Sequence, residues 1–327
     1  MDTLLPPDLA TGIAALFGAR GRHWVADLPA LVADLRRDWD LTVTGPAMPG
    51  GTHSYVAPVR HAGIGYVLKV PVLDDENFAE CAALRCYDGD GAVRLHRVDL
   101  ATGALLLERA DPGDALLTRY ERGDLPLGEV ADVAAGVLRR LRRAPSGDLS
   151  CPAPRPSDTA SRAGAAPQPV TTPFPLVRDL ARRWAGELEA AHDAYGRPYD
   201  HRLFTAAARL CAELAVPDGP AVLVNRDGHT GNMLAGRGGR EWLLIDPKPM
   251  VGDAAFDAGH LIWDLLRSEP TARRARYLVD RVTDGLAADR ERVRGWAVVR
   301  AVENMTWAIG EGAAEPYAAG AAALAAA

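Results

Sequence analysis

The stretch Val224-Asn225-Arg226-Asp227-Gly228-His229-Thr230-Gly231-Asn232-Met233-Leu234, followed twelve residues after Leu234 by Asp246, sets polar groups between apolar, strand-like runs. Asp227, Asn232 and Asp246 fall at a spacing that suits phosphoryl transfer. That chemistry needs one carboxylate to orient an attacking hydroxyl, then an amide oxygen and a second carboxylate to hold a divalent cation across phosphates. Asp and Asn beside glycine also make ordinary hairpin turns, so the triplet needs support from elsewhere in the chain.

Lysine supplies it. The chain carries 37 basic residues, yet Lys69 and Lys248 are its only lysines. In so Arg-rich a sequence a retained Lys asks for a reason. Lys69 sits in Gly65-Tyr66-Val67-Leu68-Lys69-Val70-Pro71, an alternating run that predicts a strand. A compact ammonium grips α- and β-phosphates differently from a planar guanidinium. Eleven residues on, Glu80 lies in a run with helical apolar spacing. It is placed to pair with Lys69 as the helix glutamate pairs with the strand lysine in protein kinases. The competing readings are an edge-strand charge for Lys69 and a solvated helix face for Glu80. Lys248 follows Asp246-Pro247, and the sequence leaves open whether it meets a phosphate or serves as a nearby counter-charge.

No Gly-Lys-Ser/Thr occurs in the chain, which excludes a Walker-type phosphate loop. Between the first two predicted strands, Met48-Pro49-Gly50-Gly51-Thr52-His53-Ser54 offers backbone freedom for amide hydrogens to face phosphate oxygens. Gly50, Gly51, Thr52 and Ser54 are the candidate contacts. The run from Gly103 to Gly113 passes from an apolar strand into a turn, as a hinge would. There the backbone near Glu108 and Ala110 is the candidate partner of an adenine edge.

The 327 residues, 48% apolar and 24% charged, suffice for two globular lobes. The net charge of −6 argues against a nucleic-acid partner and fits a cationic small substrate. Four cysteines without metal-ligand spacing predict a reduced, cytoplasmic protein. The absence of a basic leader and of any apolar run near eighteen residues predicts neither secretion nor membrane insertion. A monomer and a homodimer are equally open.

Pattern reading predicts a helix from about residue 6 to 40, strands near 41–47, 53–60 and 64–70, the Glu80 helix, and strands near 92–99 and 103–109. This is the order of a kinase N-lobe. Beyond the hinge come a helix near 126–143, a Pro/Ser/Ala-rich surface loop at about 144–174 expected to be mobile, and helices near 175–192 and 200–215. The strand before Asp227 and a helical stretch near 257–318 follow, with an alanine-rich tail expected to fray. The fold class is α+β and bilobal. Residues 1–109 form a mainly β lobe with one key helix, and 110–327 a mainly α lobe.

Asn225-Arg226-Asp227-Gly228-His229-Thr230-Gly231-Asn232 resembles the H-G-D-x-H-x-x-N segment of the aminoglycoside phosphotransferase family. Trp242 through Asp257, with its Asp-Pro-Lys-Pro and Gly-Asp-x-x-x-Asp motifs, is closer to the streptomycin 6-phosphotransferase and hydroxyurea phosphotransferase branch. That branch is also similar over Trp24–Trp39, Ala83–Leu95, Leu106–Arg109 and Glu303–Trp307. The likeness thus spans nearly the whole chain outside the 144–174 loop. Two positions depart: Asn225 stands where the family has His, and Gly228 where it usually has Leu.

The resemblance implies a protein-kinase-like fold and transfer of the γ-phosphoryl group of ATP to a hydroxyl, with GTP not excluded. Asp227 would orient the acceptor, Asn232 and Asp246 would hold Mg2+, and Lys69, tethered by Glu80, would position the phosphates. His229 and Asp257 read as structural. The implied acceptor is a cationic, streptomycin-like antibiotic bound by helices of the second lobe. Asp253, Asp264, Glu303, Glu311 and Glu315 are the candidates to hold it. A sugar or amino-sugar kinase, a kinase for another antibiotic class, and a nucleotide-binding pseudokinase are the alternatives.

Overall fold

The computed structural model describes residues 6–48, 53–153, 173–216, 218–310 and 314–327. These divide into two compact units. One holds the described residues of Met1–Gly89, Val93–Ala110 and Gly147–Pro173; the other holds those of Asp90–Ala92, Asp111–Ser146 and Phe174–Ala327.

The first unit is built on a long helix, α1 (Pro7–Asp38), interrupted at Gly18, where φ is 56°. Leu28, Val32 and Leu35 recur every three or four residues along it and bury against Tyr55, Ala57, Val59, Leu68 and Val70. Those five residues belong to an antiparallel sheet of β1 (Thr42–Val43), β2 (Ser54–His61), β3 (Ile64–Pro71), β4 (Leu95–Val98) and β5 (Leu105–Glu108). Its order is β1-β2-β3-β5-β4. The strand predicted near 41–47 shrinks to two residues. Thr44 and Met48 still donate to Pro58 O and Val56 O, so their backbone is satisfied without a continuous ladder. The strand predicted from residue 92 begins at Leu95. Gly91 takes a φ of 83°, and Ala92 bridges Leu244 within the second unit instead.

Helix α2 (Glu80–Tyr87) follows a turn that aims its first residue. Asp74 Oδ1 accepts from the N–H groups of Glu76 and Asn77, and Asn77 Nδ2 donates to Val72 O. The start of the 144–174 loop packs on this helix. Arg85 Nη1 donates to Ser150 O at 2.5 Å, and Cys151 is fully buried. Cys81 Sγ also donates to Ser150 O, at 3.7 Å; 154–172 lie outside the described residues.

The second unit contains α3 (Leu116–Glu121), α4 (Leu127–Leu141), α5 (Val177–Ala194), α6 (His201–Leu214), α7 (Asp257–Leu266), α8 (Ala272–Leu286), α9 (Arg290–Gly310) and α10 (Glu315–Ala325). Two small antiparallel pairs sit among them: β6 (Val222–Asn225) with β9 (Pro249–Gly252), and β7 (Met233–Gly236) with β8 (Glu241–Leu244). The tail packs rather than frays. Ala321 and Leu324 are buried in α10, and Tyr317 stacks on Trp263 with ring centroids 4.7 Å apart. Small side chains let α10 lie close to its neighbours, which periodicity alone did not reveal. Among the described residues no helix is long and apolar enough to cross a membrane.

A buried clamp fixes the end of β6. Asp257, 1% exposed, accepts from Asn225 N at 2.7 Å and faces Arg142 Nε at 3.4 Å. Arg142 spends its other nitrogens on the carbonyls of Leu286 and Ala254, at 2.5 Å each. Burial pushes the Asp257 carboxyl up to about 6, with Arg142 opposing the rise. Removing one partner strands both a guanidinium and a backbone N–H. Asp257→Ala should therefore cost about 3–5 kcal/mol in urea unfolding, far beyond a surface substitution.

Candidate active site

In the first unit, alternation along β3 turns Leu68 and Val70 toward α1 and presents Lys69 on the other face. Lys69 Nζ lies 2.6 Å from Glu80 Oε2, with side chains 7% and 2% exposed. The expected pair is thus formed and buried. Ser54 opens β2, opposite Pro71, and is buried. Glu108 ends β5; its N–H donates to Arg94 O and its Oε2 accepts from Arg94 N, at 2.8 and 2.9 Å. Ala110 is the last residue of this unit before the chain crosses over. Gly50, Gly51 and Thr52 lie outside the described residues.

In the second unit, β6 delivers its chain end into the loop that carries Asp227. Gly228 sits so close to α4 that a Cβ there would stand 2.7 Å from Leu138 Cδ2. A side chain at this position would require Leu138 to shift. His229 caps the following 3-10 turn, its Nδ1 accepting from Gly231 N at 3.0 Å. Thr230 is anchored by Asp264, whose Oδ2 accepts from its N–H at 3.0 Å and its hydroxyl at 2.5 Å.

Both oxygens of Asp227 have neighbours. Lys248 Nζ is 3.3 Å from Oδ2, and His260 Nδ1 is 3.3 Å from Oδ1. Burial opposes the charge, but Lys248 and Arg300 overcome it and hold the carboxyl well below its usual value, with His260 and His229 adding to the pull only when protonated. His260 is itself driven down to about 3, by burial first and then by Arg300. Lys248 and Arg300 are therefore two cations that stand near Asp227 at neutral pH.

Strand register explains how distant residues meet here. Asn225 pairs with Pro249, and Arg226 N donates to Lys248 O at 2.9 Å, which sets Lys248 beside Asp227. In the other pair Met233 faces Leu244, and Ile245 N donates to Asn232 O at 2.9 Å. Asn232 and Asp246 are thereby neighbours at one end of the β7·β8 hairpin. Asp246 takes a φ of 49°, a left-handed conformation that costs energy outside glycine and concentrates at functional sites. Asn232 Nδ2 donates to Asp227 O at 3.2 Å. That bond commits the amide's donor end and leaves its oxygen as the acceptor. An amide oxygen beside a carboxylate is a donor set that fits a hard cation such as Mg2+.

The acidic residues expected on the acceptor side are already engaged. Asp253 accepts from Arg292 Nε at 2.7 Å, Trp296 Nε1 at 2.9 Å and Ala255 N at 3.0 Å, so it caps a turn and ties α9 to it. Asp264 holds Thr230. Glu303 receives Arg300 Nη1 at 2.7 Å and Arg226 Nη2 at 3.4 Å, and both guanidiniums lie over the Trp184 ring. Glu303 also lines a groove between α5 and α9, with Trp184, Glu187, Tyr195 and Trp307. Glu315 accepts from Tyr199 Oη at 3.4 Å, and Glu311 lies outside the described residues. Sequence reasoning missed His260 and Arg300, whose place depends on α7 and α9 packing and leaves no local signal.

The profile of the aminoglycoside/hydroxyurea antibiotic resistance kinases matches residues 39–312. A hydroxyurea phosphotransferase of Kitasatospora aureofaciens is 36% identical over 314 residues, 94% of this chain and 81% of the relative. A streptomycin 6-kinase of Streptomyces glaucescens is 35% identical over 316 residues, 95% of this chain and 92% of the relative. Among solved structures, a thermostable mutant of aminoglycoside phosphotransferase APH(4)-Ia, in ternary complex with AMP-PNP and hygromycin B, superposes with a TM-score of 0.55. It is 19% identical, covering 90% of this chain and 97% of that one, and carries the fold alone. The architecture is protein-kinase-like, as the sequence led us to expect. By profile, identity and coverage, the chain belongs to the aminoglycoside/hydroxyurea antibiotic resistance kinase family.

Proposed function

We propose that the protein transfers the γ-phosphoryl group of ATP, with Mg2+, to a hydroxyl of a small antibiotic of the streptomycin type. The observation that carries this reading is the hairpin register that sets Asn232 beside Asp246, next to a loop holding an ionised Asp227. Asn232 and Asp246 are the residues that would hold the cation. When bound, Mg2+ neutralises the charge of the phosphates. Lys69, immobilised by Glu80, grips the α- and β-phosphates. Ala110 offers backbone to the adenine edge, since the Glu108 N–H is committed to Arg94.

A carboxyl held at about 2 is too weak a base to strip an alcohol before the new P–O bond forms. Asp227 therefore orients the hydroxyl and receives its proton late, which the loose transition state permits. The groove between α5 and α9 offers a cationic acceptor flat aromatic faces at Tyr195 and Trp307, with the carboxylate of Glu187 beside them. Hydroxyurea is a second acceptor reading, favoured by the relative at 36% identity.

Turnover with Mg2+ and ATP against streptomycin, hydroxyurea and unrelated amino sugars tests the reading, with ADP release and product mass as readouts. One of the first two should accept phosphate well. Asp227→Ala should lower kcat about 10³-fold; wild-type turnover in that variant would sink the assignment.

The carboxylate also links stability to pH. Its folded pKa lies below the unfolded value of ~3.9, so its contribution is full above that value and is lost as pH falls toward 2. Urea unfolding of wild type and Asp227→Asn should differ by about 2 kcal/mol at pH 5, a gap that closes by about pH 2. A gap that ignores pH would show that Asp227 is not held ionised.

A further inference from the structure

We infer that Lys248 is a ligand of the transferred γ-phosphoryl group, handed from Asp227 to that group when ATP binds. The inference rests on the phosphotransfer reading above and names a residue that reading left unassigned.

The placement of Lys248 is built by the backbone. It lies opposite Arg226 where the β6·β9 ladder runs past Asn225 and Pro249, and its ammonium reaches 3.3 Å from Asp227 Oδ2. The other oxygen, Oδ1, has His260 at 3.3 Å. A carboxylate offers about four lone-pair sites, so an acceptor hydroxyl can donate to Asp227 beside these two neighbours, and the more mobile of them can turn toward the incoming substrate. His260 is set in α7, with its Nδ1 3.0 Å from Arg300 Nη2 and 3.3 Å from Arg226 O. Lys248 is a flexible chain and 20% exposed. The ammonium is the group that moves.

It moves only if another anion receives it, because an ammonium pulled from its partner in a partly buried site is costly. The acceptor oxygen lies between Asp227 and the γ-phosphorus, so the incoming phosphoryl group is the anion adjacent to the vacated edge. The choice of side chain fits this exchange. An Arg fork clamps a carboxylate through two parallel bonds, whereas a Lys is a point charge that two anions can share in turn. In a chain that uses Arg at every other basic position except Lys69, Lys stands here.

The step balances as a single displacement. The acceptor oxygen bonds the γ-phosphorus, and the bond from that phosphorus to the bridging oxygen breaks with its electron pair leaving on ADP. The hydroxyl proton passes to Asp227 and then to solvent. Lys248 keeps its proton throughout and offsets charge on the moving phosphoryl oxygens.

Calorimetric titration of ATP and of ADP, each with Mg2+ and without acceptor, reads the γ-phosphate contact independently of turnover. Lys248→Met should weaken ATP about ten-fold while leaving ADP within about two-fold, and should lower kcat about 10²-fold. Lys248→Arg keeps the charge but clamps the carboxylate, and should recover little of the preference for ATP. If Lys248→Met does not fold, Lys248→Met combined with Asp227→Asn carries the same comparison, since neither charge is then left alone. Equal weakening of ATP and ADP, or no change in either, overturns the inference, even where kcat falls. Wild-type turnover and its loss in Asp227→Ala stay separate readouts. The phosphotransfer reading therefore survives if only the ATP-to-ADP ratio fails.

Discussion

A carboxylate drawn inside a protein loses its hydration and keeps its charge only if its surroundings replace that hydration. Asp227 meets this demand with Lys248 at 3.3 Å and with Arg300 close by, while His260 is too deeply buried to stay charged. The rest of the second unit is arranged around that demand. Lys248 arrives from β9, His260 from α7 and Arg300 from α9, and each of these elements is itself pinned. Asp257 ties the start of α7 to the end of β6, Asp264 ties α7 to Thr230, and Asp253 ties α9 to the turn before α7. Asp253, Asp257 and Asp264 thus hold the elements that surround one carboxylate.

On the proposed reading, Asp227 directs a hydroxyl more than it acts as a base. Catalysis by such a group comes from positioning and from electrostatics prepared in advance, which is what a loose phosphoryl transition state rewards. The first unit follows the same logic on the donor side. The Lys69–Glu80 pair is almost wholly desolvated, so its geometry is stiff, and the Asp74–Asn77 turn fixes where α2 begins. Both lysines of the chain are thus held against a buried or half-buried carboxylate.

Much of this was readable before any coordinates. Asp227, Asn232, Asp246, Lys69 and Glu80 lie in short, patterned segments that single them out as candidates, and the sheet with its inserted helix followed from alternation and helical periodicity. What stayed hidden depends on pairing between distant strands and helices. The contact of Lys248 with Asp227 is set by the β6·β9 register, and the side-by-side placement of Asn232 and Asp246 by the β7·β8 register. The closeness of Leu138 on α4 to Gly228 likewise leaves no mark in the sequence. The alanine tail looked ready to fray because alanine shows no stripe, yet small residues are what let α10 pack.

The central claim is a direct transfer to a hydroxyl that Asp227 orients, with no phosphorylated enzyme between. The stereochemical course at a chiral, isotopically labelled γ-thiophosphate tests it most directly. A single in-line displacement inverts the phosphorus centre, and inversion is the result the account predicts. Retention would mean two displacements through a phosphoryl-enzyme, with Asp227 or another side chain as nucleophile, and would contradict the account.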